Sequence, residues 1–128
     1  MMSAPAGKSL PVVLVVEDEP LLRILAVEVV EEAGFTAIEA SDADEAVALL
    51  ELRTDIALVF TDINMPGSMD GLKLAHAVRN RWPPIKILVV SGKQPFQFSD
   101  LPSNSCFLSK PYQASALVEE LRSIIASS

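Results

Sequence analysis

Several polar side chains stand where apolar runs end. Glu17 and Asp18 follow "PVVLVV" (11–16), and Asp62 comes just after "IALVF" (56–60). Ser91 follows "IKILVV" (85–90), and Lys110 comes just after "CFL" (106–108). Three acids folded to one place would repel one another, so something positive must hold them. Hard carboxylate oxygens favour Mg²⁺ or Mn²⁺, with water or a phosphate completing the shell. A carboxylate beside such a metal can attack phosphorus and become an aspartyl-phosphate. The metal and the Lys110 ammonium would neutralise the equatorial oxygens, and the Ser91 hydroxyl would bond one of them. The added charge, about −1.5 to −2 at neutral pH, is enough to draw a loop to a new position.

Plainer roles exist for each residue taken alone. Glu17 and Asp18 could cap a helix that follows them. Asp62 could begin the turn at Pro66-Gly67. Ser91 before Gly92 is ordinary turn chemistry, and most lysines are solvated. The spacing along the chain argues for convergence, because the elements between these residues alternate in kind.

The runs at 11–16, 56–60 and 85–90 are short and rich in β-branched residues, as strands buried on both faces are. "TAIEA" (36–40) and "CFL" are weaker strand candidates. Leu21, Leu22, Leu25, Ala26, Val29 and Val30 form one apolar helical stripe, with Pro20 in the first turn and Gly34 as a left-handed cap. Asp42 and Glu45 have capping-box spacing ahead of a second helix. Asp70 caps a third, whose face carries Leu74, Ala75, Val78 and Trp82 and which "WPP" ends. Leu117, Leu121, Ile124 and Ile125 mark a terminal helix. Alternation with short links implies a parallel sheet covered by helices on both faces. In such a sheet ligands bind outside the carboxyl ends of the strands, where all these polar residues fall. Residues 93–105 carry two prolines and no clean stripe, so a loop or a short helical turn is expected there.

The chain has 128 residues, half of them apolar, and a net charge of −7. One domain is expected, preceded by a loose tail over residues 1–9. The acidity disfavours binding to nucleic acid. One cysteine, Cys106, permits no internal disulfide. No secretory signal or membrane-length apolar run is visible, so a cytoplasmic protein is expected.

Taken together, "EDEP" (17–20), "DINMP" (62–66) with "MDG" (69–71), "VVSG" (89–92) and "KP" (110–111) resemble the receiver domain of two-component response regulators. Each motif is common alone. All of them in order, each after a predicted strand, are specific, and the resemblance covers roughly residues 11–125. It implies a flavodoxin-like five-stranded parallel sheet in order 2-1-3-4-5. It implies that Asp62 is the phosphoacceptor, that Asp18 binds Mg²⁺ directly and Glu17 through water, and that the Asn64 backbone carbonyl is a further ligand. Ser91 becomes the switch hydroxyl, Lys110 the phosphoryl contact and Phe107 the switch aromatic, and the Lys110–Pro111 bond becomes cis. The phosphoryl donor would be a sensor histidine kinase or a histidine phosphotransfer protein. The output would be a downstream protein, with the chain a monomer or weak homodimer, and only slow loss of its own phosphoryl group is expected. Residues at positions such as Asn64 and Lys93 tend to tune that rate.

Two departures stand out. Gly67 and Ser68 make the loop after Asp62 one residue longer than in many receivers. The segment from Ser91 to Lys110 is short, so the fourth helix of the family is expected to be short or irregular. The chain also stops about where a receiver ends, which suggests a stand-alone type. Two other classes compete: an aspartate-nucleophile phosphohydrolase and a phosphorylation-independent scaffold. The first usually places an acid two residues after the nucleophile, where this chain has Asn64. The complete set of acids, hydroxyl and lysine argues against the second. His76 is read as a structural residue within the third helix and Cys106 as buried. Phe96 and Phe98 are read with equal weight as core residues or partner anchors.

Overall fold

The run Val12–Val16 is a strand with every residue buried, because it lies at the interior of the sheet and is covered on both sides. The computed structural model describes residues 10–63, 70–92 and 98–127. Its strands are β1 (Val12–Val16), β2 (Thr36–Ala40), β3 (Ile56–Asp62), β4 (Lys86–Ser91) and β5 (Ser105–Ser109). They form one five-stranded sheet in order β2-β1-β3-β4-β5, with every neighbouring pair parallel. The helices are α1 (Pro20–Glu32), α2 (Ala43–Leu52), α3 (Gly71–Arg81) and α4 (Ala114–Ala126).

Alternation along the strands divides the core. Leu14, Val16, Val59 and Val89 pack with Ala46 and Leu50 of α2 and Leu74, Ala75 and Val78 of α3. Val13, Val15, Leu58 and Phe60 face the other way, onto Ala26 and Val30 of α1 and Leu117, Leu121 and Ile124 of α4. Phe107 is half-buried against the first cluster and Cys106 against the second. Burial, and after it the charge of Glu120, pushes the Cys106 thiol above its usual range, which suits a packed rather than a reactive sulfur.

The caps follow the sequence with one correction. Gly34 has φ +101°, as a left-handed cap requires. Asp42 accepts from Glu45 N–H, and Glu45 returns the bond to the N–H and hydroxyl of Ser41 rather than to Asp42 itself. Asp70 accepts from Lys73 N–H. The cap of α1, however, is Glu19, which accepts from Leu21 N–H; neither Glu17 nor Asp18 is the N-cap. The α1 stripe is also only half core. Ala26 and Val30 are buried, but Leu21, Leu22 and Leu25 are 63%, 44% and 48% exposed, with Ile24 beside them.

Among the described residues, the connector from β4 to β5 holds a 3₁₀ turn at Phe98–Asp100. Two α3 side chains tie it down. His76 Nε2 donates to Asp100 O at 2.6 Å, and Arg79 donates to Ser103 O at 2.8 Å and Asn104 O at 3.2 Å. Arg79 also reaches Pro83 O and Ile85 O, so one guanidinium joins both turns beside α3. Residues 1–9, Asn64, the Gly67–Ser68 insertion, Lys93 and Phe96 lie outside the described residues.

Gly71 opens α3 against the end of β3. A Cβ there would stand 1.7 Å from the Asp62 carbonyl oxygen and 2.8 Å from Ile63 Cα, both backbone atoms. Gly71→Ala is therefore expected to destabilise the protein by about 2–3 kcal/mol, lowering the thermal midpoint by roughly 10 °C. Circular dichroism melting of the two proteins measures this directly.

Candidate functional site

The end of β3 is held by backbone. Ile63 N–H donates to Val90 O at 2.9 Å, Gly71 N–H donates to Ile63 O at 2.9 Å, and the buried Thr61 hydroxyl donates to Asp62 O at 3.0 Å. These bonds place Asp62 at the mouth of the sheet with only 7% of its surface exposed. Glu17, one residue beyond β1, is equally buried. Its N–H donates to Ala40 O, and its Oε2 accepts from Glu19 N–H at 3.2 Å.

Lys110 joins the two acids. Its Nζ lies 2.6 Å from Asp62 Oδ2 and 3.6 Å from Glu17 Oε1. Its backbone is set by its own N–H bonding Ser91 O at 3.0 Å, and a cis Lys110–Pro111 bond follows, as the family resemblance implied. Ser91, at the end of β4, is 4% exposed. The site thus gathers Glu17, Asp62, Ser91 and Lys110 at the carboxyl ends of four neighbouring strands, β1, β3, β4 and β5. Asp18 is half-buried on the same turn as Glu17.

Electrostatics follow from this packing. Burial raises the Glu17 carboxyl above its usual value, with the charge of Asp62 adding to it; the Glu19 N–H and the Lys110 ammonium pull the other way. Burial alone would lower Lys110, but its hydrogen bond to Asp62 and the charges of Asp62 and Glu17 outweigh that and raise it. Among the described residues, two buried carboxylates therefore share the Lys110 ammonium, so the acids outnumber the cation.

The donor set is wholly oxygen, which suits Mg²⁺ or Mn²⁺ better than softer ions. Among the described residues no three acidic, histidine or cysteine side chains form a group able to hold a metal ion. Mg²⁺ does not need three such side chains, since it commonly keeps several waters and takes only one or two carboxylates. Asp62 and Glu17, which share the Lys110 ammonium, are the carboxylates at hand for it, with Asp18 the adjacent residue.

Sequence reasoning missed several residues that build this site. Thr61 and Gly71 fix Asp62 by contacts that spacing does not reveal. Tyr112 closes the far side: its ring meets Phe60 edge-to-face at 6.4 Å, and burial raises its phenol. A groove of about 760 Å³ runs from Glu17 and Lys110 along Leu22, Leu25 and Val29 of α1 to Tyr112. The tyrosine could have been noticed from its place directly after "KP".

Comparisons with known proteins agree with this arrangement. The family model "Response regulator receiver domain" matches residues 13–122. The chain is 33% identical over 117 residues to the sensor kinase CckA of Brucella abortus, covering 88% of this chain and only 12% of that protein. It is 30% identical over 116 residues to the response regulator receiver protein CpdR of Brucella abortus, covering 88% of this chain and 95% of CpdR. The crystal structure of the receiver domain of NtrX from Brucella abortus superposes with a TM-score of 0.82 at 29% identity, covering 91% of this chain and 99% of that one. A parallel sheet in order 2-1-3-4-5, acids and a lysine at its carboxyl edge, and a family match over most of its length place this chain in the response regulator receiver domain family of two-component signalling.

Proposed function

We propose that this domain takes a phosphoryl group from a phosphohistidine donor onto Asp62. The observation that carries the reading is the Lys110 ammonium 2.6 Å from Asp62 at the end of β3, with Glu17 on the same ammonium. In the reaction an Asp62 carboxylate oxygen attacks phosphorus. The bond from phosphorus to the donor's imidazole nitrogen breaks, and its electron pair stays on that nitrogen. Lys110, already paired to Asp62, stays to neutralise the phosphoryl oxygens. Asp18 and Asp62, with Glu17 through water and the Asn64 carbonyl, would hold Mg²⁺, which supplies further positive charge against those oxygens. Ser91, buried at the end of β4, donates its hydroxyl to the new group, and Phe107 on the neighbouring strand follows it as the readout. Water slowly hydrolyses the acyl phosphate and restores Asp62. No further turnover is expected of the domain, so it is a switch rather than an enzyme.

The donor protein docks, on this reading, along α1. Leu21, Leu22, Ile24 and Leu25 are exposed together on its first turns, and the groove beside Leu22 and Leu25 leads to Lys110. Such a patch beside a reactive group favours a partner's apolar helix face over free solvent. No helix among the described residues is long and apolar enough to cross a membrane, so the patch has no spanning role in the described structure.

Incubation with Mg²⁺ and acetyl phosphate, followed by intact mass, tests the reading. One phosphoryl adduct is expected. Asp62→Asn or chelation should abolish it, and Lys110→Ala should slow its formation by on the order of 10²-fold. A metal-independent protein with no adduct would favour a scaffold, and rapid hydrolysis of many phosphate esters would favour a phosphohydrolase. Docking is tested separately with a phosphorylated histidine kinase or phosphotransfer protein. Leu22→Asp with Leu25→Asp should slow transfer from it at least roughly tenfold while leaving labelling by acetyl phosphate intact. Equal loss with both donors would overturn the docking face.

A further inference from the structure

Arg23 sits in α1 close to its N-terminus, near the positive end of the helix dipole, where a cation is disfavoured. Its guanidinium makes two contacts that lead away from the helix. Nη1 donates to the backbone carbonyl of Glu17 at 2.8 Å, and Nε donates to Glu39 Oε1 at 3.1 Å. Glu39 lies on β2, paired in register with Val15 of β1. Arg23 therefore ties the turn after β1 to the neighbouring strand. The Arg23 side chain is 19% exposed, so this is no fully solvated pair.

The tie bears on both acids. Glu17 N–H is already fixed to Ala40 O on β2, and Arg23 fixes its carbonyl. That carbonyl shares a rigid peptide plane with the Asp18 N–H, so holding it also orients the backbone from which Asp18 departs. A planar guanidinium can serve both acceptors at once, which a lysine cannot do in the same way.

We propose that Arg23 is a positioning residue for the divalent cation: through Glu39 and the Glu17 carbonyl it holds the acidic turn in the geometry that binds metal. This rests on Glu17 and Asp18 serving as metal carboxylates. Charge and position here have opposite signs. A cation near a metal site repels the metal, so removing Arg23 would tighten binding if its charge were its whole effect. If it positions the turn, removing it loosens binding in spite of the lost repulsion.

The test uses the whole chain and Mg²⁺ alone, titrated by calorimetry. R23Q is expected to weaken Mg²⁺ binding roughly tenfold, the scale typical of residues that orient ligands without touching the metal. R23K should weaken it too, because it keeps the charge and loses the double contact. R23Q/E39Q should bind like R23Q alone, since the tether is already cut; under charge alone the double variant would return to wild type. Labelling by acetyl phosphate should need more Mg²⁺ in R23Q yet reach the wild-type rate at saturation. If the wild type binds no Mg²⁺, the reading of the site fails. If it binds and R23Q, folded by circular dichroism, binds as tightly or more tightly, the positioning role of Arg23 is wrong. Should R23Q not fold, R23K and E39Q decide: binding as tight as wild type in both would overturn the role.

Discussion

The ion pair between Lys110 and Asp62 is the contact around which the carboxyl edge of the sheet is arranged, and among the described residues there the acids outnumber the cation. Lys110 Nζ stands 2.6 Å from Asp62 and 3.6 Å from Glu17, so one ammonium serves two buried carboxylates. Burying charge costs several kcal/mol per ion unless the partner and hydrogen bonds are well placed. Here the acceptor bond from Glu19 N–H and the ammonium offset part of that cost. Burial still raises the Glu17 carboxyl above its usual value. A site with surplus negative charge on hard oxygens is one that gains from a small divalent cation.

The fold makes this imbalance sustainable. β1 and β3 are neighbours inside the sheet, so their ends bring Glu17 and Asp62 together, and β4 and β5 bring Ser91 and Lys110 to the same edge. Backbone bonds then remove freedom from each: Ala40 and Arg23 on Glu17, Val90 through Ile63 beside Asp62, Ser91 on Lys110. The helices contribute by closing in rather than by ligation. Gly71 lets α3 start against the Asp62 carbonyl, where any side chain would collide. On the other face Tyr112 packs on Phe60 and walls the groove that opens toward α1.

Much of this was legible in the chain. The strands and the acids after them could be read because buried parallel strands are continuous apolar runs with abrupt polar ends; the strand order came only from the family resemblance. Gly34, Asp42 and Asp70 could be read because caps are set by local chemistry. What escaped depends on contacts distant in sequence. The α1 leucines follow a helical period, but period does not say how much of the stripe finds a neighbour, and α4 covers only part of it. The cap fell to Glu19 because Glu17 is committed to Lys110 and to Ala40. His76 and Arg79 gave no hint of holding the β4–β5 connector, since their acceptors are carbonyls some 24 residues away.

The claim that Glu17 is surplus charge awaiting a cation is tested most directly by thermal melting of the wild type and Glu17→Gln, without metal and with saturating Mg²⁺. An amide keeps the acceptor for Glu19 N–H and loses the charge. The account predicts that the variant melts higher than the wild type without metal, and that Mg²⁺ raises the wild-type midpoint well above any rise in the variant. A variant that melts lower without metal would show that Glu17 is a balanced partner of Lys110, and would contradict the account.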